Sequence, residues 1–182
     1  MAKPILNVVE PATEADVPII VTMITQFFNR PHVYSHREKY DPRALDHLVI
    51  RVGNAFGASA SWVVRGDAVR VVWVQVDERY RKTGLGMALS GALERTAVRE
   101  GLRRLELSVT NDNVPALGFW QRSGYRITGV AVGEMERLLE TGGHSRKGVR
   151  GLPIRDEIQM EKRIPEGRWI GLSDGRDGAA ID

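Results

Sequence analysis

The chain has 182 residues, no cysteine, a formal net charge of +3, and 42% hydrophobic residues. That is the size of one domain with a real core, and the apolar share excludes a largely disordered chain. The missing thiols exclude disulfides, zinc thiolates and a cysteine nucleophile, and the small charge gives no basis for a nucleic-acid partner.

The opening residues, MAKPILNVVEP, contain no signal-peptide core, and apolar runs such as IIVTMI from Ile19 are far too short to cross a bilayer. The expectation is a soluble cytoplasmic protein with no membrane partner. Residues 5 to 9, ILNVV, suit a short first strand ended by Pro11. Thr13 and Asp16 form a capping-box pattern, and Val17, Ile20, Val21, Ile24, Phe27 and Phe28 follow at helical spacing. Pro18 requires that helix to start close to it. Residues 29 to 41, NRPHVYSHREKYD, read as a polar and aromatic loop with a helical turn at most.

Three apolar stretches come next: 48 to 52, 55 to 64 and 68 to 76. Gly53-Asn54, Gly66-Asp67 and Asp77 end them in turn, which predicts an antiparallel meander. The last is apolar on both faces, as a strand covered on both sides would be. Residues 42 to 52 also admit a helix, since Asp41-Pro42 is a fair cap and N1 pair. Leu85, Leu89, Ala92, Leu93 and Thr96 then give a helix that Gly101 stops. A strand over 103 to 109, a helix from Asn113 to Ser123 and a strand over 125 to 132 follow. Residues 139 to 153 read as a long flexible loop, and 156 to 164 as a closing strand. The domain is expected to span residues 1 to 164, with 165 to 182 as a loose tail. The order predicts a single-domain α/β fold with a mixed sheet flanked by helices.

The chemistry concentrates at Arg81-Lys82-Thr83-Gly84-Leu85-Gly86, between a strand and a helix. Backbone N–H groups converge in such a turn, and the helix N-terminus adds partial positive charge, a combination that binds a phosphate or pyrophosphate. Glycine serves there because a Cβ would block a close approach or a positive φ. The turn is not a Walker A loop, because no G-K-[ST] ends it, and it is not the G-x-G-x-x-G fingerprint of dinucleotide-binding folds. Alone, an R-x-x-G-x-G string also fits a plain flexible turn.

With its surroundings, the stretch resembles the GNAT superfamily of GCN5-related N-acetyltransferases. The family signature [QR]-x-x-G-x-[GA] matches Arg81, Gly84 and Gly86, and N-x-x-A-x-x-F-[YW]-x-x-x-G-[FY] matches Asn113, Ala116, Phe119, Trp120, Gly124 and Tyr125. The resemblance is strong from Val72 to Arg126. It implies a mainly antiparallel sheet with splayed central parallel strands, and acetyl-CoA or another acyl-CoA as cosubstrate. The pyrophosphate would lie on the N–H groups of Arg81, Lys82, Thr83, Gly84, Leu85 and Gly86. The backbone of Val74, Gln75 and Val76 would bind the pantetheine arm, Asn113 would reach the cofactor, and Trp120 would flank it. The implied partners are a small-molecule or protein amine acceptor and, as often in this family, a second copy in a homodimer.

The implied reaction is direct acyl transfer to a neutral amine, with no metal. The sequence departs from the family at both usual catalytic positions. Trp120 replaces a tyrosine acid and has no useful proton to give, while Arg70 replaces a glutamate base early in the fourth strand. The catalytic residues are thus unknown at this stage; a water chain to His32, His36, Glu134 or Glu136 is one route. A module that binds acyl-CoA as a sensor or scaffold is the alternative. The acceptor pocket implied by the resemblance lies between residues 30 to 40 and 139 to 153, the latter carrying His144, Arg146, Lys147 and Arg150.

Overall fold

A computed structural model describes residues 8 to 142, 148 and 151 to 165. It contains strands β1 (Val9–Pro11), β2 (Val33–Ser35), β3 (Glu38–Tyr40), β4 (Asp46–Val52), β5 (Ala55–Arg65), β6 (Ala68–Val76), β7 (Arg104–Thr110), β8 (Arg126–Ala131) and β9 (Glu157–Arg163). The helices are α1 (Val17–Phe28), α2 (Leu85–Arg99), α3 (Val114–Arg122) and α4 (Glu134–Gly142). Seven strands form one sheet in the order β1-β4-β5-β6-β7-β9-β8, and β2 and β3 form a separate hairpin. Every neighbouring pair in the large sheet is antiparallel except β6 and β7. No described helix is long and apolar enough to cross a membrane.

Alternation along the strands builds a core on each face. Leu48, Ile50, Val69, Val71, Leu105, Leu107 and Met160 point to one side, where Leu85, Leu89 and Leu93 of α2 and Trp120 of α3 cover them. On the other side Val49 and Trp73 meet Ile20 and Ile24 of α1 and Val33 of the hairpin. The helix α1 starts at Val17, so Pro18 falls in the first turn, where its missing N–H costs nothing. Asp16 accepts from Thr13 N (2.7 Å) and receives both hydrogen bonds from Arg51 Nη2 (2.7 Å each), tying the helix start to β4.

Three expectations change, and one alternative is set aside. The first strand is Val9–Pro11, and residues 1 to 7 lie outside the described residues. Residues 33 to 40 are a hairpin rather than a loop with a helical turn, closed at His36 (φ 54°) and Arg37 (φ 61°). Two consecutive left-handed residues give the twist a tight hairpin needs, and neither is the glycine or asparagine that would signal it. The strand expected over 48 to 52 forms as Asp46–Val52, and the alternative helix over 42 to 52 reduces to a 3-10 turn at Pro42–Ala44. Pairing of β4 with both β1 and β5 outweighs the local helix signal there. Residues 139 to 142, expected as loop, belong to α4, with Leu139 buried, and residues 143 to 147 and 149 to 150 lie outside the described residues.

The hairpin is held to the sheet by charge. Arg70 on β6 donates to Glu106 Oε1 on β7 (2.6 Å), to Tyr40 OH (2.7 Å) and to Glu38, while Arg104 donates to Glu106 Oε2 (2.8 Å). Desolvation pushes Glu38 up, but hydrogen bonds from Arg70, Tyr40 and Arg65 outweigh it and hold the carboxyl at about 2. Replacing Arg70 by Met leaves Glu106 with one cation, and should lower unfolding free energy by about 2 kcal/mol in urea melts. The stability from ionised Glu38 is present above the unfolded value of ~4.3 and is lost as pH falls toward the folded one. Arg70→Met should therefore flatten that acid limb; an unchanged limb would count against the network.

Candidate functional site

The site begins with one extra residue in β6. Opposite β5, Trp62 pairs with Val71 and Ser61 with Trp73, so Val72 is the bulged residue. Val72 and Trp73 consequently both pack toward α1. The pairing of β6 with β7 runs from Ala68↔Arg104 to Val71↔Leu107 and stops at the bulge. Beyond it β6 stays with β5 through Val74↔Ala60, Gln75↔Ser59 and Val76↔Ala58, while β7 stays with β9 to Thr110↔Glu157. Two parallel strands thus fork, and no described strand pairs with the inner edge of Val72 to Val76. An extended ligand with its own amides can hydrogen-bond to such an edge.

At the end of that edge the chain makes one 3-10 turn, Glu78–Tyr80, and enters α2 through the glycine-rich stretch. Lys82 (φ 64°) and Gly84 (φ 93°) are left-handed. The first N–H of the helix to reach a carbonyl is that of Ala88, to Gly84 O (3.0 Å); those before it have no intrahelical partner. The first turn of α2 holds no acidic residue, and no side chain caps it. A helix start left this way attracts an anion.

The two glycines do different work. Gly84 is conformational, since a Cβ there would meet open space but suffer the positive φ. Gly86 is about packing: its Cβ would lie 3.2 Å from Phe119 Cζ and 3.8 Å from Val76 Cγ2. Gly86 therefore brings α2, α3 and the end of β6 together. Arg81, Lys82 and Thr83 are exposed, with Arg81 paired to Glu78 (3.1 Å).

The fork opens into a groove of about 680 Å³. Of the residues expected at the site, Val74, Asn113 and Trp120 line it; Gln75, Val76 and the 81 to 86 turn lie outside it. Asn113 caps α3, its Oδ1 accepting from Ala116 N (3.3 Å). Trp120 is buried edge-on between Phe119 (4.8 Å) and Tyr125 (5.0 Å). Phe27, Phe28 and Trp73 form an edge-to-face cluster on the opposite wall.

Four groups were expected to reach a reacting proton through water. His32 lines the groove and stacks edge-on to Tyr34 (5.0 Å). Burial, then the charge of Arg70, pushes the His36 imidazole below its usual value, against the pull of Glu106, Glu157 and Glu38. Glu134 pairs with Arg137 (2.6 Å), and Met135 and Leu139 rather than Glu134 or Glu136 face the groove from α4. Arg70 is bound into the hairpin network. His144, Arg146, Lys147 and Arg150 lie outside the described residues.

The sequence reading missed a polar wall. Ser35 Oγ meets Ser108 Oγ (2.9 Å), and Glu157 Oε1 accepts from His36 N (2.7 Å). Glu106, Ser108 and Thr110 on β7, and Glu157, Gln159 and Glu161 on β9, alternate with apolar residues. Such alternation ordinarily marks a solvent face. Here the hairpin covers part of it, and its unremarkable turn residues gave no warning.

A family model described as the acetyltransferase (GNAT) family matches residues 20–125, more than half of the chain. The uncharacterized protein YxbD of Bacillus subtilis (strain 168) is 22% identical over 165 residues, covering 87% of this chain and 99% of that protein. The IAA acetyltransferase from Bacillus cereus ATCC 14579 superposes with a TM-score of 0.68 at 18% identity, over 86% of this chain and 99% of that one. A GNAT family acetyltransferase from Elizabethkingia anophelis with acetyl-CoA bound superposes at 0.64 and 14% identity, over 86% of this chain and 97% of that one. At such identities the structures speak for the fold alone, while the family model spans β4 to α3 and both glycine and asparagine motifs. The chain belongs to the GNAT acetyltransferase family.

Proposed function

We propose that the protein transfers an acetyl group directly from acetyl-CoA, or another acyl from its CoA thioester, to a primary amine of a small molecule or protein. The observation that carries the reading is the fork: a free strand edge leads to a helix N-terminus with a left-handed glycine and no acidic residue. A pantetheine arm has two amides spaced for a strand edge, and a pyrophosphate carries the charge that the helix start attracts. The Elizabethkingia anophelis neighbour, with acetyl-CoA bound, supports the same cosubstrate.

In this reading the backbone of Val74, Gln75 and Val76 holds the arm. The N–H groups of Arg81 to Gly86 hold the pyrophosphate, with Arg81 and Lys82 adding countercharge. Asn113 and Trp120 flank the thioester end from α3. A largely apolar groove favours the reaction by fixing the amine and thioester together, since positioning alone supplies a large part of such rate gains. With a thiol of reference pKa ~8.5 as leaving group, the absence of a tyrosine at Trp120 is tolerable.

Two outcomes test this. Calorimetry should show one acetyl-CoA per chain, and Gly84→Asp, which adds both a strained φ and a negative charge at the helix start, should weaken it at least about tenfold. Unchanged affinity in that variant would contradict the loop assignment, and no binding by the parent chain would contradict the reading as a whole. A panel of primary amines, followed by release of free CoA, should show turnover with at least one. Binding without turnover across a broad panel would favour the acyl-CoA sensor or scaffold, for which Arg70 and Trp120 at the usual base and acid positions are the motive.

A further inference from the structure

We infer that Glu157 is the group that receives the acceptor's ammonium and takes its proton, and that the acceptor is a primary amine on an apolar or aromatic body; this rests on the acyl-transfer reading above. Glu157 sits at the start of β9, opposite Thr110 of β7 and Ala131 of β8, with 3% of its surface exposed. It lines the groove. One carboxylate oxygen, Oε1, accepts from His36 N at 2.7 Å. The other, Oε2, is buried with no hydrogen-bond partner among the described residues. A buried carboxylate oxygen in that state is costly unless a donor or cation meets it.

The surroundings narrow the donor. The groove holds a second buried carboxylate, Asp112, one oxygen of which also lacks a hydrogen bond among the described residues, but that residue has another interaction partner and the Gly148 backbone closes against its side chain. His36 contributes its backbone N–H to Glu157, while its ring meets Ser35 Oγ at 3.0 Å. The other charged groups acting on His36, besides Glu157, are Arg70, Glu106 and Glu38, and those three are bound to one another. Phe28, Trp73, Met135, Leu139 and Ile154 give the groove an apolar wall, and the polar lining beside it includes Ser108, Thr110, His32 and Arg30, the last two gathered on the Tyr34 ring. An ammonium on an apolar body satisfies both features at once, with the cation on Oε2 and the body on the aromatic wall.

The chemistry balances with these groups alone. Glu157 Oε2 takes one proton from the ammonium, and the neutral nitrogen attacks the thioester carbonyl carbon. The C–N bond forms, the C–S bond breaks, and the electron pair of that bond leaves on sulfur. The nitrogen's second proton passes through solvent to the thiolate, giving the amide and free CoA, and Glu157 returns its proton to solvent.

The test uses the full chain with acetyl-CoA and 2-phenylethylamine as the probe. At pH 7, Glu157→Gln should lower kcat/KM about 10²-fold or more, while calorimetric acetyl-CoA affinity stays within about twofold. The loss should shrink as pH rises toward the ammonium's own value of ~10, because the amine then arrives neutral. Glu157→Asp keeps the carboxylate and should be at least about tenfold faster than the Gln chain at pH 7. Glu157→Gln within about threefold of the parent, or an equal loss in the Gln and Asp chains at every pH, would overturn the assignment. So would a parent chain that binds acetyl-CoA yet neither binds nor acetylates the probe; that result leaves the cosubstrate reading standing. A parent that does not bind acetyl-CoA removes both.

Discussion

A single bulged residue, Val72, governs the geometry of this molecule. The β5–β6 ladder skips it, so Val72 and Trp73 face α1 together and β6 turns away from β7 after Val71. Backbone N–H and C=O groups on the inner edge of β6 are thereby released from the sheet, and such groups must find water or a ligand. The same turn of the strand aims its end at the glycine-rich entry to α2. Gly86 then allows α2 to close on Phe119, so that β6, α2 and α3 meet at one corner. Strand edge, helix N-terminus and groove thus all follow from the place where β6 leaves β7.

The second constraint is the cover on the polar face of β7 and β9. Three contacts fasten the hairpin there: Ser35 to Ser108, His36 N to Glu157, and Glu38 with Tyr40 to Arg70. Arg70 and Arg104 compensate buried Glu106, which would otherwise be an uncompensated charge. Among the described residues Glu157 receives only the backbone N–H of His36, whereas Glu106 receives two guanidinium groups. The fold therefore separates two jobs along one row of side chains. Charge near Arg70 fixes the hairpin, and Glu157 lines the groove.

Much of this was legible in the residues. Helical spacing gave α1, α2 and α3, the turn glycines gave the β4–β6 meander, and two spaced motifs gave the family. The bulge was not legible, because AVRVVWVQV is apolar throughout and an extra valine leaves no mark on such a run. The hairpin was hidden because its left-handed residues are His36 and Arg37, which carry no turn signal. The end of α4, from Leu139, was read as loop, since the run from there leads into glycines and polar residues. At the site, Arg81 to Gly86 and Asn113 were visible as motifs, whereas Glu157 was only one residue of the closing strand over 156 to 164. Its importance comes from what folds over it, and no local pattern encodes that.

In the proposed function the released edge of β6 and the start of α2 together receive one extended, anionic cosubstrate. Amide hydrogen exchange resolved by residue, with and without saturating acetyl-CoA, tests it most directly. The account predicts new protection concentrated at Val72 to Val76 and Lys82 to Met87, with the β4–β5 ladder unchanged. Protection confined to other segments, or spread evenly over the chain, would contradict it.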